Sequence, residues 1–216
     1  MCSAWSTQCE PRCAPETRRA VSKRLFDLLG AALALLLLAP LLLATALAIK
    51  LDTRGPVFYR QQRVGRHGVP FAIHKFRTMA HGASGLPLTV GNDPRITRVG
   101  AFLRRTRIDE LPQFIDVLLG HMSLVGPRPE VPRYVAHYPP GLRVRVLAVR
   151  PGITDPASLA YRDEAALLAR AADPERAYVE QVMPAKLLQA ARYVERMSLA
   201  NDLRLIGATL RRLWLH

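Results

Sequence analysis

The sequence is poor in cysteine: only Cys2, Cys9 and Cys13 occur in a chain of 216 residues, all crowded at its N-terminus. An odd number with none in the body excludes a secreted disulfide scaffold, and the spacing leaves a zinc site without its fourth ligand. The thiols therefore read as reduced cytosolic side chains. Lysine is nearly as scarce, with four Lys against 27 Arg among the 31 basic residues. Several common motifs are missing as well. There is no P-loop, no Gly-x-Gly-x-x-Gly fingerprint, no His-Glu-x-x-His and no Gly-x-Ser-x-Gly, which excludes the commonest nucleotide, zinc and serine-hydrolase sites.

Against 17 acidic residues the arginines leave a net charge of +14 and a pI near 10.8. The guanidinium binds phosphate and carboxylate bidentately and stays protonated, so an anionic partner is the first inference. The charge is uneven. Residues 54–107 hold 11 basic and one acidic group, against 6 and 4 in residues 1–53 and 14 and 12 in residues 108–216. Half the residues are hydrophobic, which excludes a disordered tail.

Much of that apolar content lies in one run. Leu28 to Ile49 is 22 residues without a charge, about 33 Å long as a helix and enough to cross a hydrocarbon core of about 30 Å. It exceeds the h-region of a signal peptide and no Ala-x-Ala site follows it cleanly, so it reads as a retained membrane element. Pro40, near its middle, predicts a bend. Both flanks are basic, with Arg18, Arg19, Lys23 and Arg24 before and Lys50, Arg54, Arg60 and Arg63 after. Symmetric positive flanks suit a re-entrant hairpin, whereas a Pro-kinked single span is compatible with the same run. Asp27 is placed to pair with Lys23 or Arg24 at the interface.

Around this run, residues 1–20 read as a mobile leader. Val57 to Arg60 and Pro70 to Phe76 have strand composition, and Gly65-Arg66-His67-Gly68 between them predicts a hairpin turn. Residues 80–95 read as a loop, and Val99 to Thr106 and Leu111 to Leu119 as helices, the second ended by Gly120. After a Pro-rich break at 126–132 the chain reads as helical. Its last segment places Leu199, Leu203, Ile206, Leu210 and Leu213 at helical spacing, the pattern of a helix packed on the core or lying in a membrane interface.

Three clusters can carry chemistry. In Arg104-Arg105-Thr106-Arg107-Ile108-Asp109-Glu110-Leu111-Pro112, two carboxylates follow three arginines, and Pro112 belongs in the first turn of the next helix. Asp109 near such an N-terminus would stay ionised beside a bound phosphate, as a nucleophile or a Mg²⁺ ligand; pattern alone favours the plainer role of a helix cap. In Gly126-Pro127-Arg128-Pro129, prolines on both sides stiffen the backbone around Arg128, which suits an anion-gripping guanidinium or simply a rigid turn. Arg150-Pro151-Gly152 repeats the theme more weakly. In His74-Lys75-Phe76-Arg77, a strand would put Lys75 and Arg77 on one face; the histidines lack metal-ligand spacing.

Taken in order, Lys23 to Asp27, Gly55 to Phe58 with Gln62 to Gly65, Lys75 to Met79, Asn92 to Gly100, Leu111-Pro112-Gln113, Met122 to Pro129 and Arg150 to Thr154 resemble one family, the bacterial sugar transferases, or monotopic phosphoglycosyl transferases. The resemblance runs over roughly residues 22–210. It implies transfer of a sugar 1-phosphate from a UDP-sugar to a polyprenyl (undecaprenyl) phosphate, initiating surface glycan such as exopolysaccharide. It implies Asp109 and Glu110 as the catalytic pair, Asp109 forming a covalent phosphosugar intermediate, with Mg²⁺ held by both. It also makes the membrane helix re-entrant, broken at Ala39-Pro40. Lys75, Arg77, Arg104, Arg128 and Arg150 are then the candidates for neutralising phosphate. The chain departs from the family's common pattern at Ala39-Pro40, where Ser-Pro is frequent, at Gly120-His121, where Gly-Asp is usual, and at Gly152 to Leu159, where Gly-Ile-Thr-Gly-x-x-Gln-Val is frequent.

The expectation is therefore an α/β, mostly helical domain with a leader (1–20), a re-entrant membrane helix (21–50) and a catalytic domain (51–216), with a short hairpin and amphipathic interfacial helices. Its place is the cytoplasmic face of a bacterial inner membrane. The expected partners are donor, acceptor and membrane lipid, with a homo-oligomer and downstream glycosyltransferases left open and nucleic acid excluded. With one strong membrane segment, the extra four-helix region of larger relatives is not expected. The rival is a membrane-tethered, Arg-rich binder of anionic lipid or nucleic acid, which has no use for Asp109-Glu110.

Overall fold

The computed structural model describes residues 14–83, 89, 93–161 and 164–214. The three cysteines and half of the 80–95 loop lie outside these residues. Helix α1 runs from Ala14 to Asp52, so seven residues assigned to the leader are helical; Pro15 sits in the first turn, where its missing N–H costs nothing. The segment Ala20–Asp52 is long and apolar enough to cross a membrane by length and composition. The expected interruption at Ala39-Pro40 does not appear, since Pro40 lies inside the one helix. Proline removes a single backbone bond, and the surrounding leucines and alanines are strong helix formers that keep the rest.

Both ends of α1 rest on the remainder of the chain. Near its start, Asp27 Oδ1 accepts the Leu124 N–H at 3.2 Å and Ala31 is fully buried. Near its end, Ile49 packs with Phe76 and Leu103, and the Asp52 carboxylate accepts the Val99 N–H at 3.4 Å. Between these anchors Leu33, Leu36, Leu37 and Leu43 are exposed.

Strands β1 (Phe58–Val64) and β2 (Pro70–Phe76) form the expected antiparallel hairpin, with Phe58 opposite Phe76 and Val64 opposite Pro70. Phe71 and Ile73 are buried and share their face with Lys75, so the strand carries Lys75 outward from the core. Helix α2 (Arg98–Thr106) is capped by Thr97, whose hydroxyl accepts the Gly100 N–H, and α3 is shorter than predicted (Gln113–Leu118). Residues Ile108–Glu110 between them form a 3₁₀ turn.

A second, parallel pair joins β3 (Ser123–Val125), just before the Pro-rich break, to β4 (Gly152–Thr154), in a part of the chain expected to be helical. Strands of three residues are too short to show alternation. Their glycines explain the pairing: a Cβ on Gly152 would stand 2.0 Å from the Gly126 nitrogen. Helices α4 (Pro132–Val135) and α5 (Pro140–Val146) lie between these strands. After β4 come α6 (Pro156–Ala160), α7 (Glu164–Leu168), α8 (Pro174–Ala177), a π-helical turn (Tyr178–Val182), α9 (Met183–Glu195) and α10 (Leu199–Trp214). Among the described residues the fold is thus mostly helical with two small sheets.

One apolar cluster holds α4, α5, the π turn and α9 together around Tyr134, Tyr178 and Leu187; a second joins the hairpin, α1, α3 and β3 around Phe71, Val117 and Met122. On α10 the predicted stripe is split. Leu205 and Ile206 pack on the core, whereas Leu199, Leu203 and Leu210 are exposed. Asp202 orients the helix: its Oδ1 accepts the Tyr193 hydroxyl at 2.6 Å, and Lys23 of α1 stands 2.8 Å from its Oδ2.

Candidate active site

A cavity of about 300 Å³ is lined by residues from the hairpin, α2, the 3₁₀ turn, the β3 exit, α4, α6, α7, the π turn and α9. Asp109 and Glu110 stand in its wall. Arg107 precedes them in the left-handed region (φ 60°), a conformation a non-glycine residue adopts at some cost and which aims the 3₁₀ turn inward. The expected helix N-terminus is not what stabilises Asp109, because α3 starts only at Gln113 and Asp109 does not cap it. The stabilising group is Lys75, whose Nζ lies 2.7 Å from Asp109 Oδ2 and 3.5 Å from Glu110 Oε1.

The two carboxylates differ in their remaining contacts. Glu110 is gripped by the Arg128 fork, with Nη1 donating to Oε2 at 3.3 Å and Nη2 to Oε1; Arg107 Nη1 lies 3.9 Å away. Burial works to raise the Glu110 carboxyl, but Arg128, Lys75 and Arg107 outweigh it and hold it well below the usual carboxylate range. Glu110 is therefore an anion at any physiological pH and unsuited to donate a proton. Asp109 keeps one oxygen in reserve: Oδ1 is buried and accepts no hydrogen bond among the described residues. Its side chain is 2 % exposed.

Arg128 reaches this place through the backbone. Gly126 and Gly152 allow β3 and β4 to close, Gly152 N–H donates to the Pro127 carbonyl at 2.9 Å, and the flanking prolines present the guanidinium. Arg104 also lines the cavity, its Nε donating to Thr78 Oγ1 at 2.8 Å and its Nη1 to Thr89 Oγ1 at 2.9 Å. Burial lowers this guanidinium from its ordinary value against the pull of Asp109 and Asp93, the mark of a desolvated cation with room for an anion.

Five of the seven residues singled out from sequence thus meet in one cavity: Lys75, Arg104, Asp109, Glu110 and Arg128. Arg77 and Arg150 do not line it. Arg77 is buried and donates to the carbonyls of Pro56, Arg54 and Thr53 at 2.7, 3.0 and 2.9 Å, satisfying the chain just after α1. Arg150 donates to the Gly120 carbonyl at 2.9 Å. His74, read as ordinary, clamps α3 to the hairpin: its Nδ1 lies 2.7 Å from Asp116 Oδ1, and its backbone N–H donates to Oδ2 at 2.8 Å, which fixes the residue before Lys75.

Sequence reasoning missed Arg63, Arg107, Ser158, Glu164, Tyr178 and Lys186 in the lining. Arg107 and Arg63 carry a sequence signal, the first because it adjoins the acidic pair and the second because it stands in the family-like segment Gln62 to Gly65. No cluster of three His, Cys, Asp or Glu suited to a metal occurs among the described residues. The donors present nevertheless fit a hard divalent cation of the Mg²⁺ kind, which uses one or two carboxylates and completes its shell from phosphate and water; the unpartnered Asp109 Oδ1 is such a donor. Glu110 would join it only by releasing Arg128.

Comparison with known proteins identifies the family. Residues 18–216 match the family described as bacterial sugar transferase. The exopolysaccharide production protein PSS of Rhizobium leguminosarum bv. phaseoli is 56 % identical over 111 residues, 50 % of this chain and 56 % of that protein. The UDP-glucose:undecaprenyl-phosphate glucose-1-phosphate transferase of Escherichia coli K12 is 48 % identical over 136 residues, 61 % of this chain and 29 % of that one. The UDP-N-acetylgalactosamine-undecaprenyl-phosphate N-acetylgalactosaminephosphotransferase of Aeromonas hydrophila is 46 % identical over 145 residues, 65 % of this chain and 34 % of that one. The chain accordingly spans little more than half of the first relative and about a third of the other two. With the family match covering nearly the whole sequence, the chain belongs to the bacterial sugar transferases.

Proposed function

We propose that the protein transfers a sugar 1-phosphate from a UDP-sugar to a polyprenyl phosphate such as undecaprenyl phosphate, at the cytoplasmic face of a bacterial membrane. The observation that carries this reading is Asp109: one oxygen held by Lys75, the other unpartnered, in a cavity ringed by Arg104, Arg107 and Arg128. A carboxylate repels phosphate unless cations neutralise the approach, and this one is surrounded by them.

In the first step an Asp109 oxygen attacks the donor's β-phosphorus. The bond from that phosphorus to the bridging oxygen breaks and UMP leaves with the electron pair. In the second step a phosphate oxygen of the polyprenyl acceptor attacks the same phosphorus, the acyl-phosphate bond breaks, and Asp109 returns as a carboxylate. Lys75 and Arg104 balance the incoming diphosphate, and Glu110 keeps Arg128 in place between turnovers. Mg²⁺, held by Asp109 and by Glu110 once Arg128 has released it, would supply further neutralisation of the diphosphate.

The acceptor has a lipid tail, and α1 gives it a place to dock. Both ends of α1 rest on the same domain while the leucines between them are exposed, which supports a helix whose middle dips into one leaflet with both ends kept on the same membrane face. The exposed Leu199, Leu203 and Leu210 of α10 suit the membrane interface. The test is UMP release from UDP-sugars with undecaprenyl phosphate present. Turnover by the wild type and none by Asp109→Asn are expected; full activity in the variant would refute the mechanism.

A further inference from the structure

Beyond the phosphate-neutralising residues, part of the cavity lining comes from α7, the π turn and α9, and it carries a second charged group. Glu164 Oε2 lies 2.7 Å from Lys186 Nζ, the two side chains being 23 % and 15 % exposed and both lining the cavity. Lys186 is held further by the Tyr178 ring, its Nζ 5.4 Å from the centroid, and the Tyr178 hydroxyl donates to Glu130 Oε2 at 2.5 Å. Ser158, bonded to Asp155, borders the same lining within the stretch Gly152 to Leu159 where the sequence leaves the family's common pattern.

The pair has no clear structural purpose. A partly exposed ion pair contributes about 0–1 kcal/mol, and α9 is already fixed by Met183, Leu187, Ala190 and Ala191 in the core. Nor does it suit a phosphate, because Glu164 and Glu130 would repel one and four other cations already serve the diphosphate. What it offers is a carboxylate that accepts hydrogen bonds beside an ammonium that donates them, at no net charge. Neighbouring hydroxyl groups on a sugar ring need that combination, and helices hold it more rigidly than a loop would. The π-helical turn that places Tyr178 is of a kind that recurs at functional sites.

We infer that Glu164 and Lys186 read the hydroxyl pattern of the donor's glycosyl unit and so determine which sugar is accepted. The inference rests on the function proposed above. Discrimination by a polar pocket that leaves its own groups unpaired against the wrong substrate is steep, so losing the pair should change selectivity more than overall rate.

The experiment uses the full chain in lipid nanodiscs with UDP-glucose and UDP-N-acetylgalactosamine, and reads kcat/KM for each together with inhibition by UMP. Glu164→Gln, Lys186→Met and the exchanged double variant Glu164→Lys/Lys186→Glu are compared with the wild type. The ratio of the two kcat/KM values is expected to shift about tenfold or more in all three, while the UMP inhibition constant stays within twofold. The exchanged variant retains a tie between α7 and α9, so a wild-type ratio there would show the pair to be structural and overturn the inference. An unchanged ratio in the single variants would overturn it too. A weakened UMP constant with the ratio intact would assign the pair to the nucleoside and equally refute the claim. Turnover of no UDP-sugar by the wild type would overturn the proposed function and this inference with it; turnover with unaltered ratios removes the inference alone.

Discussion

Replacing Arg128 by Gln leaves Glu110, a side chain only 9 % exposed, without its fork partner and with Lys75 at 3.5 Å as its main cation. Removing one partner of a fully buried pair costs about 3–5 kcal/mol. Arg128 itself is 30 % exposed, so solvent screens part of the loss, and about 2–3 kcal/mol is the expected destabilisation at pH 7. For a chain of this size that is about 4–12 °C in Tm, measured by tryptophan fluorescence in detergent at a fixed scan rate. The pH dependence separates charge from packing. In the wild type the Glu110 carboxyl is depressed, so its contribution is fully present above the unfolded carboxyl value of about 4.3 and is lost as pH falls through the folded value. In the variant the largest opposing pull is gone and burial raises the carboxyl. The Tm gap between the two proteins should therefore be widest near neutrality and narrow below about pH 4. A gap that stays constant from pH 7 down to about pH 3 would show that Arg128 acts through packing and would contradict a role for its charge.

Other substitutions probe the scaffold and the surroundings of the cavity. Lys75→Met should lower kcat by about 10²–10³ while the protein still folds, as expected when one group that stabilises developing charge is removed; activity within threefold of wild type would take Lys75 out of the mechanism. Gly152→Ala should cost at least about 1–3 kcal/mol, because its methyl would meet the Gly126 nitrogen at 2.0 Å, and a wild-type Tm would contradict the β3–β4 closure. Asp202→Asn should lower Tm by loosening Lys23 and Tyr193, at about 1–3 kcal/mol, and leave the sugar ratio untouched. Single cysteines introduced at positions 20 and 54 should both label from the cytoplasmic side; labelling from opposite sides would establish a single span.

What is legible in the sequence here is what local chemistry determines. The hairpin follows from alternation around a Gly-rich turn, and Lys75, Asp109, Glu110 and Arg128 stand in short segments whose residue types constrain one another. Arg77 and Arg150 show the limit. An arginine's partner is chosen by the fold, and theirs are backbone carbonyls rather than phosphate. The β3–β4 pair depends on two glycines 26 positions apart meeting at close range, which no window of sequence displays. The stripe on α10 is a true amphipathic signal, yet Asp202 decides which side faces inward by its bonds to Tyr193 and Lys23. Glu164 and Lys186 are distant in sequence and meet only through the packing of α7 against its neighbours.

In the proposed mechanism Asp109 carries the phosphosugar between donor and acceptor. Intact-protein and peptide mass measurement after incubation with a UDP-sugar in the absence of polyprenyl phosphate tests it most directly. One added sugar phosphate is expected on the peptide containing Asp109, absent in Asp109→Asn and discharged when undecaprenyl phosphate is supplied. Active protein that never carries the adduct, or carries it on another residue, would contradict it.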